Sequence, residues 1–140
     1  MEKARGFTLI EMMAVVLILG LVMSVVVVNV MDRVEWAKVQ TTRVKMRAVE
    51  GALEMFQLEN AKYPATDPGL VALLEGPPGG GRSFVRDEDA LDDAWRRRFG
   101  YEQPGTHRAP SYDLSSLGRD GTPGGDGPDA DIVNWERAGR

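Results

Sequence analysis

Gly6-Phe7-Thr8-Leu9-Ile10-Glu11 opens an apolar run that continues from Met12 to Val28 almost unbroken. Only Met1-Glu2-Lys3-Ala4-Arg5 precedes it, with basic Lys3 and Arg5 on its near side and a polar chain beyond. From Phe7 to Val30 the run is about two dozen residues, and at ~1.5 Å per residue a helix of that length reaches across a ~30 Å hydrocarbon layer. Backbone groups in lipid must be satisfied within the segment, so Val25-Val26-Val27-Val28 does not argue for a strand. Lys3 and Arg5 predict that the short end stays in the cytoplasm and that everything after Val30 lies outside.

Glu11 is the exception inside this run. A carboxylate at such a position costs about 2.5–3.5 kcal/mol on insertion scales, so it calls for a partner. Arg5 is six residues away and drawn toward the membrane surface. Cutting the chain after Gly6 frees the α-amine of Phe7, one helical turn from Glu11. The same amine on a neighbouring copy, displaced along a common axis, would pair between molecules and set the stagger of an assembly.

Arg5-Gly6-Phe7-Thr8-Leu9-Ile10-Glu11 resembles the cleavage signature of class III signal peptides, shared by type IV pilins and type II secretion pseudopilins. The resemblance implies that a prepilin peptidase cuts between Gly6 and Phe7 and methylates the new amine of Phe7. Residues 1–6 are then a leader, 7–30 a membrane and assembly helix, and 31–140 a globular domain that includes the second half of the long helix. An ordinary secretory signal has a core of 7–15 residues, lacks an acid and ends in a small-residue site, which this segment does not match.

Beyond Asp32 the chain has no proline until Pro64 and, up to Asn60, only Gly51 as a glycine. Small or apolar residues recur at Val34, Ala37, Thr41, Val44, Ala48, Ala52, Met55, Phe56 and Glu59, with Val49 and Leu53 widening the stripe. This predicts one helix from Phe7 to Asn60, on the order of 80 Å long, half buried by its own domain through that stripe. Thr66 or Asp67 is the expected cap of a short helix that Pro68 opens and Gly76 ends, with Leu70, Leu73 and Leu74 facing the long helix. Gly79-Gly80-Gly81 reads as a surface turn. Phe99-Gly100-Tyr101, Ser111-Tyr112-Asp113-Leu114 and a stretch through Ile132, Val133 and Trp135 are the expected strands, the first two joined through the Pro104-Gly105 turn. The fold class is therefore α+β and pilin-like: a long helix against a short helix and a small antiparallel sheet.

Two segments narrow the resemblance to the major pseudopilin family of type II secretion. Tyr63-Pro64 with the Thr, Gly-Leu and Ala-Leu that follow is similar to the segment after that family's long helix, and Asp92-Asp93-Ala94-Trp95 to its Asp-Pro-Trp-Gly turn, with Trp95 expected in the core. Between the last two strands lies the acidic, glycine-rich stretch from Leu117 to Ile132. Carboxylates and inward-turned carbonyls are the hard oxygen donors that Ca²⁺ takes, although the spacing is not that of an EF-hand. By itself such a loop is more often a solvated turn. The family's Ser-x-Gly-x-Asp-Gly stretch binds calcium, and Ser116-Leu117-Gly118-Arg119-Asp120-Gly121 matches it. The resemblance thus implies one calcium on the Leu117 carbonyl, Asp120, Asp131 and, because the family's second acid falls on Ala130 here, Asp129 or else Asp126 in its stead.

The chain has no cysteine and a single histidine, His107, and it shows no nucleophile elbow, metal-histidine pair or dinucleotide fingerprint. Those absences speak against an enzyme. A net charge of −4 and a pI near 5.0 speak against a nucleic-acid partner, and Arg96-Arg97-Arg98 reads as a solvated cluster. By resemblance the partners are further copies in a helical filament, the prepilin peptidase, minor pseudopilins, the inner-membrane assembly platform and the outer-membrane secretin. The alternatives are a type IV pilin for adhesion, motility or DNA uptake, and a membrane-tethered calcium-binding domain that never polymerises.

Overall fold

The computed structural model describes residues 6–76 and 82–136, with no side chains for 25–29. The chain divides into two compact units, Met1–Val34 and Glu35–Arg140. Helix α1 runs Leu9–Asn60 and contains no proline, so no backbone donor is missing from its ladder. It stops at Ala61, whose φ of 59° takes the left-handed conformation that commonly ends helices. The Asn60 side-chain amide donates to the Phe56 carbonyl at 3.0 Å, occupying one of the acceptors left open there.

In the first unit the apolar side chains face outward: Leu9, Ile10, Val16, Leu17 and Leu21 are all exposed. No helix is long and apolar enough among the described residues to cross a membrane. The span expected over 7–30 includes the side chains of 25–29, which lie outside those residues. The glycine turn at 79–81 also lies outside them.

In the second unit two 3-10 helices, Gly69–Leu74 and Glu88–Leu91, precede strands β1 (Gly100–Glu102), β2 (Asp113–Ser116) and β3 (Ile132–Val133). The sheet is antiparallel in the order β1-β2-β3, with Tyr101 opposite Leu114 and Ser116 opposite Ile132. Leu53 of α1, Leu73 and Leu91 of the 3-10 helices and Leu114 of β2 are fully buried and form one core with Val49, Phe99, Tyr112 and Ile132. Tyr112 packs edge-on to Tyr63 at 4.8 Å, and the Tyr101 hydroxyl donates to the Pro64 carbonyl at 2.7 Å.

Several expectations change here. The buried row of α1 is Val39, Thr42, Met46, Val49 and Leu53 with Ala52, whereas Val34, Val44 and Met55 are exposed. Two rows at alternating spacings of three and four residues lie on opposite faces of this helix, and the core takes the one with the larger side chains. The short helix after Pro68 is 3-10 and receives no side-chain cap. Thr66 instead exchanges hydrogen bonds with the backbone of Gln103, pinning the segment to the end of β1. Phe99 lies before β1 and Trp135 beyond β3; the Trp135 ring stacks on His107 with centroids 4.1 Å apart. In the arginine cluster Arg96 and Arg98 are exposed, Arg98 bonding Asp92 and Glu88 at 2.7 Å, whereas Arg97 reaches the loop after β2.

Candidate functional site

Three surfaces bear on function, each built from a different part of the chain. At the N-terminal end, Gly6 and Phe7 are exposed, and Phe7 keeps 77 % of its surface open. Thr8 precedes the first turn of α1. Its hydroxyl accepts from the Glu11 amide at 3.3 Å, and the Glu11 carboxylate accepts from the Thr8 amide at 3.3 Å. This reciprocal arrangement satisfies backbone donors at the helix start. The spacing Thr8-x-x-Glu11 is the local sequence signal for this cap, and it gives Glu11 a backbone partner besides any charged one.

The outer row of α1 in the second unit is the next surface. Ala37, Thr41, Val44, Ala48, Gly51, Met55 and Leu58 are all exposed, Val44 at 64 % and Leu58 at 80 %. Their spacing alternates four and three, the period of a helix seam. Beside the row, Lys38, Arg43, Lys45 and Arg47 are followed by Glu50, Glu54 and Glu59, so its charge turns from basic to acidic along the chain.

The loop after β2 is the third surface. Gly118, at φ +60°, lies so close to the far arm that an added Cβ would meet the Asp129 carbonyl oxygen at 2.6 Å. The Arg119 amide donates to the Pro128 carbonyl at 2.9 Å, joining the two arms, and the Leu117 carbonyl accepts from Gly121 N at 3.1 Å. Asp120 turns onto Thr122, whose amide and hydroxyl lie at 3.0 and 2.7 Å and hold its carboxyl below the usual range. Asp129 receives both prongs of the Arg119 guanidinium, Nε at 2.7 Å and Nη2 at 2.6 Å. Asp131 Oδ2 accepts from Gly124 N at 3.0 Å. Arg97 donates to the carbonyls of Gly118 and Arg119. Its position follows from Asp93, a buried carboxylate that accepts from Arg97 N, Trp95 N and Ser116 Oγ.

Leu117, Asp120, Asp129 and Asp131 thus share a loop, but all three carboxylates are bonded within it, Asp131 through Oδ2 alone. Among the described residues no three acidic, histidine or cysteine side chains converge as a metal-holding group. Asp126 receives no capping bond and is exposed. One feature does suit a cation: Asp131 Oδ1 is buried with no hydrogen-bond partner, and a buried anionic oxygen without one is rare. The carbonyls, carboxylates and the Thr122 hydroxyl of this loop are oxygen donors of the kind a hard divalent ion such as calcium takes.

An N-terminal helix that leaves its apolar residues outward, joined in one chain to a cysteine-free unit with a small antiparallel sheet, defines a pilin-like subunit. The family model described as type II secretion system protein G matches residues 29–135, and the prokaryotic N-terminal methylation motif matches 1–27. The chain is 43 % identical to type II secretion system core protein G of Pseudomonas aeruginosa over 96 % of this chain and 97 % of that protein. It is 40 % identical to the Vibrio cholerae protein of the same name, over 96 % and 94 %. The crystal structure of the major pseudopilin from the type 2 secretion system of enterohaemorrhagic Escherichia coli superposes with a TM-score of 0.57 at 31 % identity, covering 76 % of this chain and 94 % of that one. The chain belongs to the type II secretion system protein G family. It is a structural subunit of the pseudopilus and not an enzyme.

Proposed function

We propose that a prepilin peptidase cleaves this chain between Gly6 and Phe7 and methylates Phe7. The segment 7–30 then holds the subunit in the bacterial inner membrane, N-terminus inside and residues 31–140 in the periplasm, until it enters a helical filament of identical copies. The observation that carries the reading is the exposed apolar surface of α1, which a single copy leaves without a protein partner and which side-by-side packing of copies would cover. Glu11 sets the register by pairing with the Phe7 amine of an adjoining copy. In the second unit the outer row offers copies a surface of its own to meet on. Parallel copies shifted by one heptad, about 10.5 Å, bring Glu54 level with Arg47 of the next copy.

The filament works with minor pseudopilins, the assembly platform and the secretin to push folded proteins outward. One calcium ion belongs in the loop, held by Asp131, the Leu117 carbonyl, Asp120 and Asp129; it would supply positive charge to carboxylates that otherwise repel one another. Mass analysis of the membrane-extracted protein tests the central step: the expected mature chain begins at Phe7 and carries one added methyl. Glu11→Ala subunits are expected to insert but to assemble poorly. An intact Met1 terminus, or normal filaments from the Glu11→Ala variant, would overturn the reading.

A further inference from the structure

The loop carries its own cation at the position where a metal would need a carboxylate. Arg119 bonds both oxygens of Asp129, a two-pronged geometry that takes one lone pair of each and sets a guanidinium charge against the carboxylate a cation would need. The pair is fixed by the backbone beneath it, since Arg119 N donates to the carbonyl of Pro128, immediately before Asp129. Arg97 adds a second guanidinium on the carbonyls of Gly118 and Arg119. The Arg119 side chain is 47 % exposed against 25 % for Asp129, so the arginine can swing into solvent while the carboxylate stays in the loop. Meanwhile Asp131 Oδ1 remains without a partner.

We infer that Arg119 is an internal competitor of calcium: it holds the metal-free loop closed through Asp129 and must release that carboxylate before the ion is fully held. This rests on the calcium reading above. Two consequences follow from the geometry. The metal-free loop stays ordered despite its four aspartates, because guanidinium groups neutralise part of their charge. Calcium affinity is set below what the oxygen donors alone would give, because the ion displaces an existing pair.

The test is titration of calcium chloride into the detergent-extracted full chain by calorimetry, with hydrogen exchange of residues 117–131 measured in chelator. Arg119→Gln is expected to tighten calcium binding about three- to tenfold and to speed exchange of the metal-free loop. Arg86→Gln, an exposed arginine outside the loop, makes the same change in net charge and is expected to leave both readouts near those of the unaltered chain. Arg119→Lys keeps the charge without the fork and falls between. Adding Asp129→Asn to Arg119→Gln removes the gain. Equal affinities for Arg119→Gln and Arg86→Gln, with calcium still bound by the unaltered chain, would overturn the competition and leave the calcium site standing. No binding by any variant would overturn both. Unchanged exchange in chelator would remove the arginine's role in closing the loop.

Discussion

Helix α1 presents two rows of side chains in its second half, and their fates differ. Val39, Thr42, Met46, Val49 and Leu53 are almost entirely buried; Thr41, Val44, Ala48, Gly51, Met55 and Leu58, one or two positions along, are exposed. Both repeat at three and four residues and both are largely apolar, so periodicity alone treats them alike. What separates them is volume and a partner. The inner row carries side chains large enough to meet Leu73, Leu91 and Leu114, and its one polar member, Thr42, accepts the Ala94 amide at 3.1 Å. The outer row includes Ala48 and Gly51, small enough to admit a second helix closely but too small to fill a core. An amphipathic helix in a subunit that assembles has two apolar faces with different owners.

The largest test of that contrast is Leu53→Ala, expected to cost about 2–5 kcal/mol in denaturant unfolding, against Val44→Ala, expected within about 0.5 kcal/mol. Comparable losses from the two would show that the outer row is also held within the subunit. A finer cut falls between adjacent threonines. Thr42→Val strands the Ala94 amide and is expected to cost about 1–3 kcal/mol, while Thr41→Val removes only an exposed bond to the Ala37 carbonyl and is expected to cost under about 0.5 kcal/mol by the same measurement. The smallest effect belongs to Glu35, which sits at the start of the inner side. The Trp95 indole N–H at 2.8 Å, with Lys38, holds its carboxyl below the ordinary 4.5. Its contribution is therefore full above pH 4.5 and is lost as pH falls through the lower folded value. In melting curves from pH 7 to pH 3, Glu35→Gln is expected to flatten part of the acid loss, and an unchanged acid limb would show that this bond contributes nothing.

The long helix, the leader-like start and the strand positions were legible because each is written locally: proline absence, an apolar run with one acid, short β-rich stretches between turns. The choice of buried row was not, since it depends on what packs against the helix from residues 70–114. Arg97 was missed for the same reason; its acceptors lie more than twenty residues away in sequence. The acidic loop was legible as a set of oxygen donors, but nothing local marks Arg119, next to Asp120, as the partner of Asp129. Its meeting with Asp129 required the two arms of the loop to close on each other. The Thr8–Glu11 cap, by contrast, is written locally in the Thr-x-x-Glu spacing.

Gly51 has nothing within 4 Å of where a Cβ would stand, in the middle of the outer row. Since the chain contains no cysteine, a residue placed there by Gly51→Cys gives the molecule a single thiol at an unobstructed position. A spin label or short crosslinker attached to it becomes a ruler, reading the distance between neighbouring subunits directly from a living cell envelope or a purified fibre.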